Sequence, residues 1–200
     1  MRVTVRVNTS KLDAIARDTP KAAVSALNKM VGQAKTKTSA EIRTHYNISK
    51  SNLEKPVGSK VKGDSFALVK AKANQLYAIL RIRTQRIPLI RFGGRWKRST
   101  GATATIEVGK AIVMPHTFTA TMASGHKGLF IRKGAKRLMT KGRYAGTKIP
   151  RQPILERSGP SVAQMAMKGN TLKNVQAFIK EKIEALFLHE SIYFKNRKGE

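Results

Sequence analysis

The chain has no cysteine in 200 residues, so disulfides, thiolate nucleophiles and thiolate metal ligands are excluded at once. Carboxylates are scarce as well: 11 Asp and Glu stand against 40 Lys and Arg. A nuclease clusters carboxylates around Mg²⁺, whereas Asp13, Asp18, Glu41, Glu54, Asp64, Glu107 and Glu156 fall in separate predicted elements. Four histidines, His45, His116, His126 and His189, lack ligand spacing. Neither a GxxxxGKS/T phosphate loop nor a GxSxG elbow occurs. No apolar run is long enough to span a bilayer, and MRVTVRVNTS alternates instead of forming a secretory core. These absences speak against catalysis, a cofactor, a metal centre and a membrane partner, and place synthesis in the cytoplasm.

What the chain does have is positive charge. A net charge of +29 works against a compact monomer by self-repulsion, so a polyanion or acidic partner subunits should neutralise it. Nucleic acid fits best, because each phosphate met by Lys or Arg releases condensed counterions. No internal repeat and no linker composition divides the sequence, which reads as one domain over 1–190 followed by a tail at 191–200.

Local pattern predicts an α+β fold: an antiparallel sheet or small sandwich packed by a long N-terminal helix and a C-terminal helix, with extended basic loops. Val3, Val5 and Val7 alternate as in a strand, and Ser10 opens a turn through Leu12 and Ile15. Thr19-Pro20 starts a helix to about Thr44, with Ala23, Leu27, Met30, Ala34 and Ile42 on one face. Ser49 caps a short helix closed by Pro56 and Gly58. Strands on either side of Asn74-Gln75 make a hairpin, and Ala104–Val108 with Ala111–Thr121 make another, around a type II′ turn at Gly109-Lys110. Ser158-Gly159-Pro160 starts a short helix, and Thr171 caps a last helix whose stripe is Leu172, Val175, Ile179, Ile183 and Leu186. The end from Tyr193 onward has no period and is expected to fray.

Two basic stretches stand out. Gln85–Gly101 reads as a loop carrying Arg86, Arg91, Arg95, Lys97 and Arg98, anchored by Phe92 and Trp96. Between Ser124 and Pro160 there are ten Lys or Arg, among them Lys133, Lys136, Arg137, Lys141 and Arg143, and a single acid, Glu156. Glycines flank the run Leu129-Phe130-Ile131, the pattern of a β-hairpin with a basic connection. Both stretches are candidates for contact with DNA phosphates. A structural nucleic-acid contact, a basic protein of ribosomal type and, more remotely, a nuclease remain open at this point.

Phe118, Met122, Gly125, His126, Gly128, Phe130, Arg132 and Gly134, followed by Arg137-Leu138, Ile149-Pro150, Ile154-Leu155 and Gly159-Pro160-Ser161-Val162, resemble the C-terminal half of the prophage minor tail protein Z family. Ala26-Leu27-Asn28-Lys29, Val31, Ile42 and the basic segment from Ser49 to Lys60 resemble its N-terminal half. The resemblance implies a tail-completion protein of a long-tailed bacteriophage, at the head-proximal end of the virion tail, in a ring commonly of six copies around the DNA channel. Its implied partners are further copies of itself, tail-terminator, tail-tube and head-neck proteins, and non-specifically held double-stranded DNA. It carries no active site over. Phe118, Met122, Gly125, His126, Gly128, Phe130, Arg132, Gly159 and Pro160 become the structural or subunit-contact motif.

Overall fold

The computed structural model describes residues 3–6, 20–55, 64–140 and 145–197. The expected turn through Leu12 and Ile15 and the closure at Pro56 and Gly58 lie outside the described residues. In chain order the elements are β1 (Val3–Arg6), α1 (Pro20–His45), α2 (Lys50–Glu54), β2 (Phe66–Val69), β3 (Ile79–Ile82) and β4 (Arg86–Pro88). A 3-10 turn at Leu89–Arg91 leads to β5 (Arg95–Lys97), β6 (Gly101–Glu107), β7 (Lys110–Met114), β8 (Thr117–Thr121) and β9 (Lys127–Arg132). Then come β10 (Ile154–Glu156), β11 (Ser158–Ser161), α3 (Val162–Met167) and α4 (Thr171–Asn196). The mixed α+β class read from the sequence is the one observed.

Contacts divide the chain into two compact units, each discontinuous in sequence. The first comprises Met1–Ile42, Lys62–Gln85 and Ser161–Glu200. Here α1 begins at Pro20 and buries Ala22, Ala23, Ala26, Leu27, Met30 and Ala34, small residues that permit close packing. Asn28, on what looked like a polar face, accepts from the Ala71 backbone N–H at 2.8 Å and donates to its carbonyl at 3.3 Å, fixing the end of the β2 segment on the helix. The sheet has the order β1-β3-β2, all antiparallel, with Ile82 opposite both Val3 and Phe66. The hairpin turns at Ala73-Asn74, since Lys72 and Gln75 exchange backbone bonds, one residue earlier than the spacing predicts.

At α3 the cap is Ser161, and a capping box with Gln164 satisfies both orphan donors. The sequence reading placed this start at Ser158; the stretch Ser158–Ser161 is strand β11 instead, because Ser161 is the residue with an amide side chain three positions on. The last helix continues to Asn196, past the point where fraying was expected. Phe194 extends the inward stripe of Phe187 and Ser191, Tyr193 packs edge-on to Phe194 at 5.3 Å, and the Arg197 backbone N–H bonds Tyr193.

A buried carboxylate joins the two long helices. Glu190, 2% exposed, accepts 2.6 Å hydrogen bonds from Lys29 Nζ and Ser25 Oγ on α1 and lies 3.1 Å from His189 Nδ1. Burial by itself raises this carboxyl; the bonds from Lys29, Ser25 and His189 outweigh it and hold the group at about 2, below its ordinary value of 4.5. A depressed carboxyl contributes stability that is present above its unfolded value and lost as the pH falls from there toward 2. Glu190→Gln should therefore lower unfolding free energy at neutral pH by about 1–3 kcal/mol, and urea titrations from pH 5 to 2 should show a shallower acid limb than wild type; an unchanged limb contradicts the assignment. Gly32, inside α1, has nothing within 4 Å of where a Cβ would stand, so Gly32→Ala should raise the melting midpoint, with a gain of up to about 1 kcal/mol.

The second unit comprises Arg43–Val61 and Arg86–Pro160. It holds the sheets β5-β6-β7 and β10-β9-β8 and the pair β11-β4. Phe92 and Leu129 are fully enclosed at 0% exposure, with Leu53, Ala102, Ala104 and Phe130 also buried. The predicted loop at Gln85–Gly101 is mostly ordered structure, because β4 pairs with β11 and β5 with β6. Phe92 anchors it as expected, whereas Trp96 remains 42% exposed. A bulge between Thr105 and Glu107 shifts the next hairpin so that Val108-Gly109 form its turn, with Gly109 second at φ 78°. The predicted Gly109-Lys110 turn with glycine first is corrected by that bulge. The long strand expected over Ala111–Thr121 breaks at Pro115-His116, where His116 takes φ 58°, giving β7 and β8.

Candidate functional site

Phe118, Phe130 and Arg132 lie together because β8 and β9 pair antiparallel with Phe118 opposite Phe130. Their rings are 6.3 Å apart and tilted, and the Arg132 guanidinium lies 5.3 Å from the centroid of the Phe118 ring. Alternation in β9 puts Gly128, Phe130 and Arg132 on one face, and β10 brings Glu156 opposite Phe130. From there the carboxylate reaches back over Gly128 to His126, whose Nε2 is 2.6 Å from Glu156 Oε1. A Cβ on Gly128 would stand 2.6 Å from that oxygen and 3.0 Å from the Phe130 ring, so any larger residue forces the carboxylate and the ring to shift. The β8–β9 turn closes through Met122, which donates to the His126 carbonyl at 2.8 Å, and Gly125, which donates to Met122 at 2.9 Å and takes φ 77°.

Gly159 has a similar steric reason. Its missing Cβ would lie 2.8 Å from the buried Phe92 ring, and the neighbouring Leu89 N–H donates to the Arg157 carbonyl at 3.0 Å. Pro160, half-buried in β11, follows without a backbone donor to satisfy. The motif residues that the sequence singled out thus form the internal frame of the second unit.

The cations surround this frame. Arg95 and Lys97 are exposed on β5, an edge strand, where alternation points them the same way and two residues rise about 6.8 Å. Arg98 is exposed just after them in the chain, Arg86 is exposed on β4, and Lys133, Lys136 and Arg137 are exposed on the β9–β10 connection. Lys141 and Arg143 lie outside the described residues. Arg91 has another role: its Nη1 donates to the carbonyls of Asn52 at 3.2 Å and Lys55 at 2.9 Å. Partial burial lowers its guanidinium from the ordinary value, and the Glu156 charge offsets part of that.

The second unit contains 20 Lys or Arg and three acids. Of those acids, Glu107 bonds Lys110 at 3.2 Å and Glu156 bonds His126. Among the described residues, no three His, Asp or Glu gather to hold a metal ion, and no helix is long and apolar enough to cross a membrane. Sequence reasoning missed the His126–Glu156 tie, although Glu156, the lone acid among ten cations, was the signal that it has a particular use. Gly128→Ala should force that tie and the Phe130 ring apart and cost about 1–3 kcal/mol in thermal unfolding; a wild-type melting curve contradicts the close packing.

Residues 6–192 match the family model of prophage minor tail protein Z. No curated protein and no solved structure matches the chain. The match spans both units and includes the whole hairpin frame around His126 and Glu156, so the chain belongs to the prophage minor tail protein Z family.

Proposed function

We propose that this phage minor tail protein stands at the head-proximal end of the tail, in a ring around the DNA channel, and touches the genome non-specifically through the cations of its second unit. Membership of the family makes it a structural protein of the virion tail. The finer reading rests on one observation: in the second unit the cations far outnumber the acids, and Glu107 and Glu156 are already engaged locally. Exposed Arg95, Lys97 and Arg98 are therefore left to act on something outside the chain, and duplex phosphates supply the matching charge.

The exposed side chains also suit a channel through which DNA must move. Flexible cations acting within a Debye length of about 8 Å attract a duplex without gripping it at fixed bidentate sites. On this reading residues 1–190 act as one tail-completion-type domain, assembled in the host cytoplasm into a ring, of six copies as is common for such proteins. Its neighbours are tail-terminator, tail-tube and head-neck proteins.

The reading is tested by fluorescence anisotropy with a mixed-sequence duplex between 50 and 200 mM salt. Replacing Arg95, Lys97 and Arg98 together by Ala should weaken binding and reduce the magnitude of the log K against log salt slope by about 3, near one per lost phosphate contact. Arg91→Ala should leave the slope in place and lower stability instead, because its donors serve the Asn52 and Lys55 carbonyls. A triple variant with the wild-type slope turns this surface toward protein and contradicts the DNA contact.

A further inference from the structure

The last helix carries two apolar stripes. Val175, Ile179, Ile183 and Phe187 face inward and are buried, whereas Leu188 and Ile192, 64% and 51% exposed, lie on the opposite face. That outer face runs Glu181, Ala185, Leu188, Ile192 and Lys195, all exposed, at spacings of four, three, four and three residues. This is the spacing of a coiled-coil seam, sustained for about two heptads on the side of α4 turned away from its own core. Glu184 stands beside the seam and is exposed as well.

The charges on this face have no partners on other elements. In a chain with 40 Lys and Arg an exposed carboxylate without a cation is the exception, yet among the described residues Glu184 makes no ion pair or hydrogen bond. Glu181 meets only its sequence neighbour Lys182, at 3.3 Å. The Lys195 ammonium, three turns beyond Glu184, is also unpaired among the described residues. Trp96, Leu138 and Ile149 are exposed too, but they sit beside Arg95, Lys97, Lys136, Arg137 and Lys148. Two copies of a chain carrying +29 repel across such surfaces, whereas the outer face of α4 offers both signs.

We infer that this face pairs with itself: α4 of one copy packs antiparallel on α4 of a second, with Leu188 of each beside Ile192 of the other. Charge selects the alignment. In this register Lys195 of one copy lies beside Glu184 of the other, with Glu181 one turn further along, and the Lys195 stem passes over the small Ala185. A two-fold axis makes each contact twice. Parallel helices would set Glu184 against Glu184 and Lys195 against Lys195, a like-charge match that disfavours them. Sliding one antiparallel helix by a heptad seats the Glu181 carboxylate against Ile192 and loses the Leu188–Ile192 pairs. The seam spans about 20 Å of helix, so the contact belongs to the small, reversible class of interface. Being isologous it stops at two copies; it describes the protein outside a ring and does not rest on the ring reading.

Sedimentation velocity at physiological salt should show a reversible, concentration-dependent dimer. Leu188→Lys should abolish it with an unchanged melting temperature, because the side chain is already exposed. Glu184→Lys and Lys195→Glu should each weaken the dimer about tenfold, every contact counting twice, and the two changes combined should restore it. Lys195→Glu is the sharper case: it lowers the net charge from +29 to +27 and would strengthen an association governed by overall repulsion alone. The chain has no native cysteine, so a mixture of Leu188→Cys and Ile192→Cys chains under a mild oxidant should give a disulfide dimer on a non-reducing gel, well above either variant alone. Either variant crosslinking alone as readily as the mixture means another alignment and overturns the inference. A dimer that persists in Leu188→Lys, or a charge swap that fails to restore it, overturns it as well. Wild-type protein seen only as monomer overturns it too, and wild-type protein seen only as rings that tolerate Leu188→Lys does so while leaving the ring reading intact.

Discussion

The few carboxylates of this chain hold its elements to one another, and the rest of the structure depends on where they are placed. Glu190 ties α4 to α1 through Lys29 and Ser25. Glu41 accepts from Lys37 one turn away and from Asn174 on α4. Glu156 ties β10 to the β8–β9 turn through His126, and Glu107 pairs with Lys110 across the β6–β7 turn. An isolated surface ion pair contributes little, so the 2% exposed Glu190 matters most for stability. With 11 acids against 40 Lys and Arg, most of the cations have no acid of the same chain to pair with. The surplus is what remains of that internal arrangement, and it is the property on which the proposed contact with DNA rests.

Elements with local signals were legible in the sequence. The 3.6-residue spacing from Ala23 to Ile42 and the Thr19-Pro20 start locate α1 almost to the residue, and alternation locates β2 and β3. Errors arose where a distant partner decides. Arg95-Trp96-Lys97 has no apolar alternation, yet it pairs with Gly101–Thr103 and becomes a strand. Arg91 looks like its neighbours in sequence, but α2 places the Asn52 and Lys55 carbonyls within its reach. One bulge moved a turn by a residue, and one buried ring, Phe92, explains Gly159 better than any helix-start rule.

The functional motif shows a similar division. Gly125 is readable as a turn glycine from sequence, whereas Gly128 is explained only once Glu156, twenty-eight positions on, lies across it. The motif residues singled out in the sequence thus serve packing, and the exposed cations around them are the ones proposed to meet other molecules.

The central claim is that cations left over from the internal ties face the genome. A cryo-electron microscopy reconstruction of the intact tail end with DNA in its channel tests it most directly. The account predicts Arg95 and Lys97 lining the lumen within about 8 Å of duplex phosphates, the reach of screened attraction at physiological salt. Those side chains packed against another protein, with the lumen lined by other residues, would contradict it.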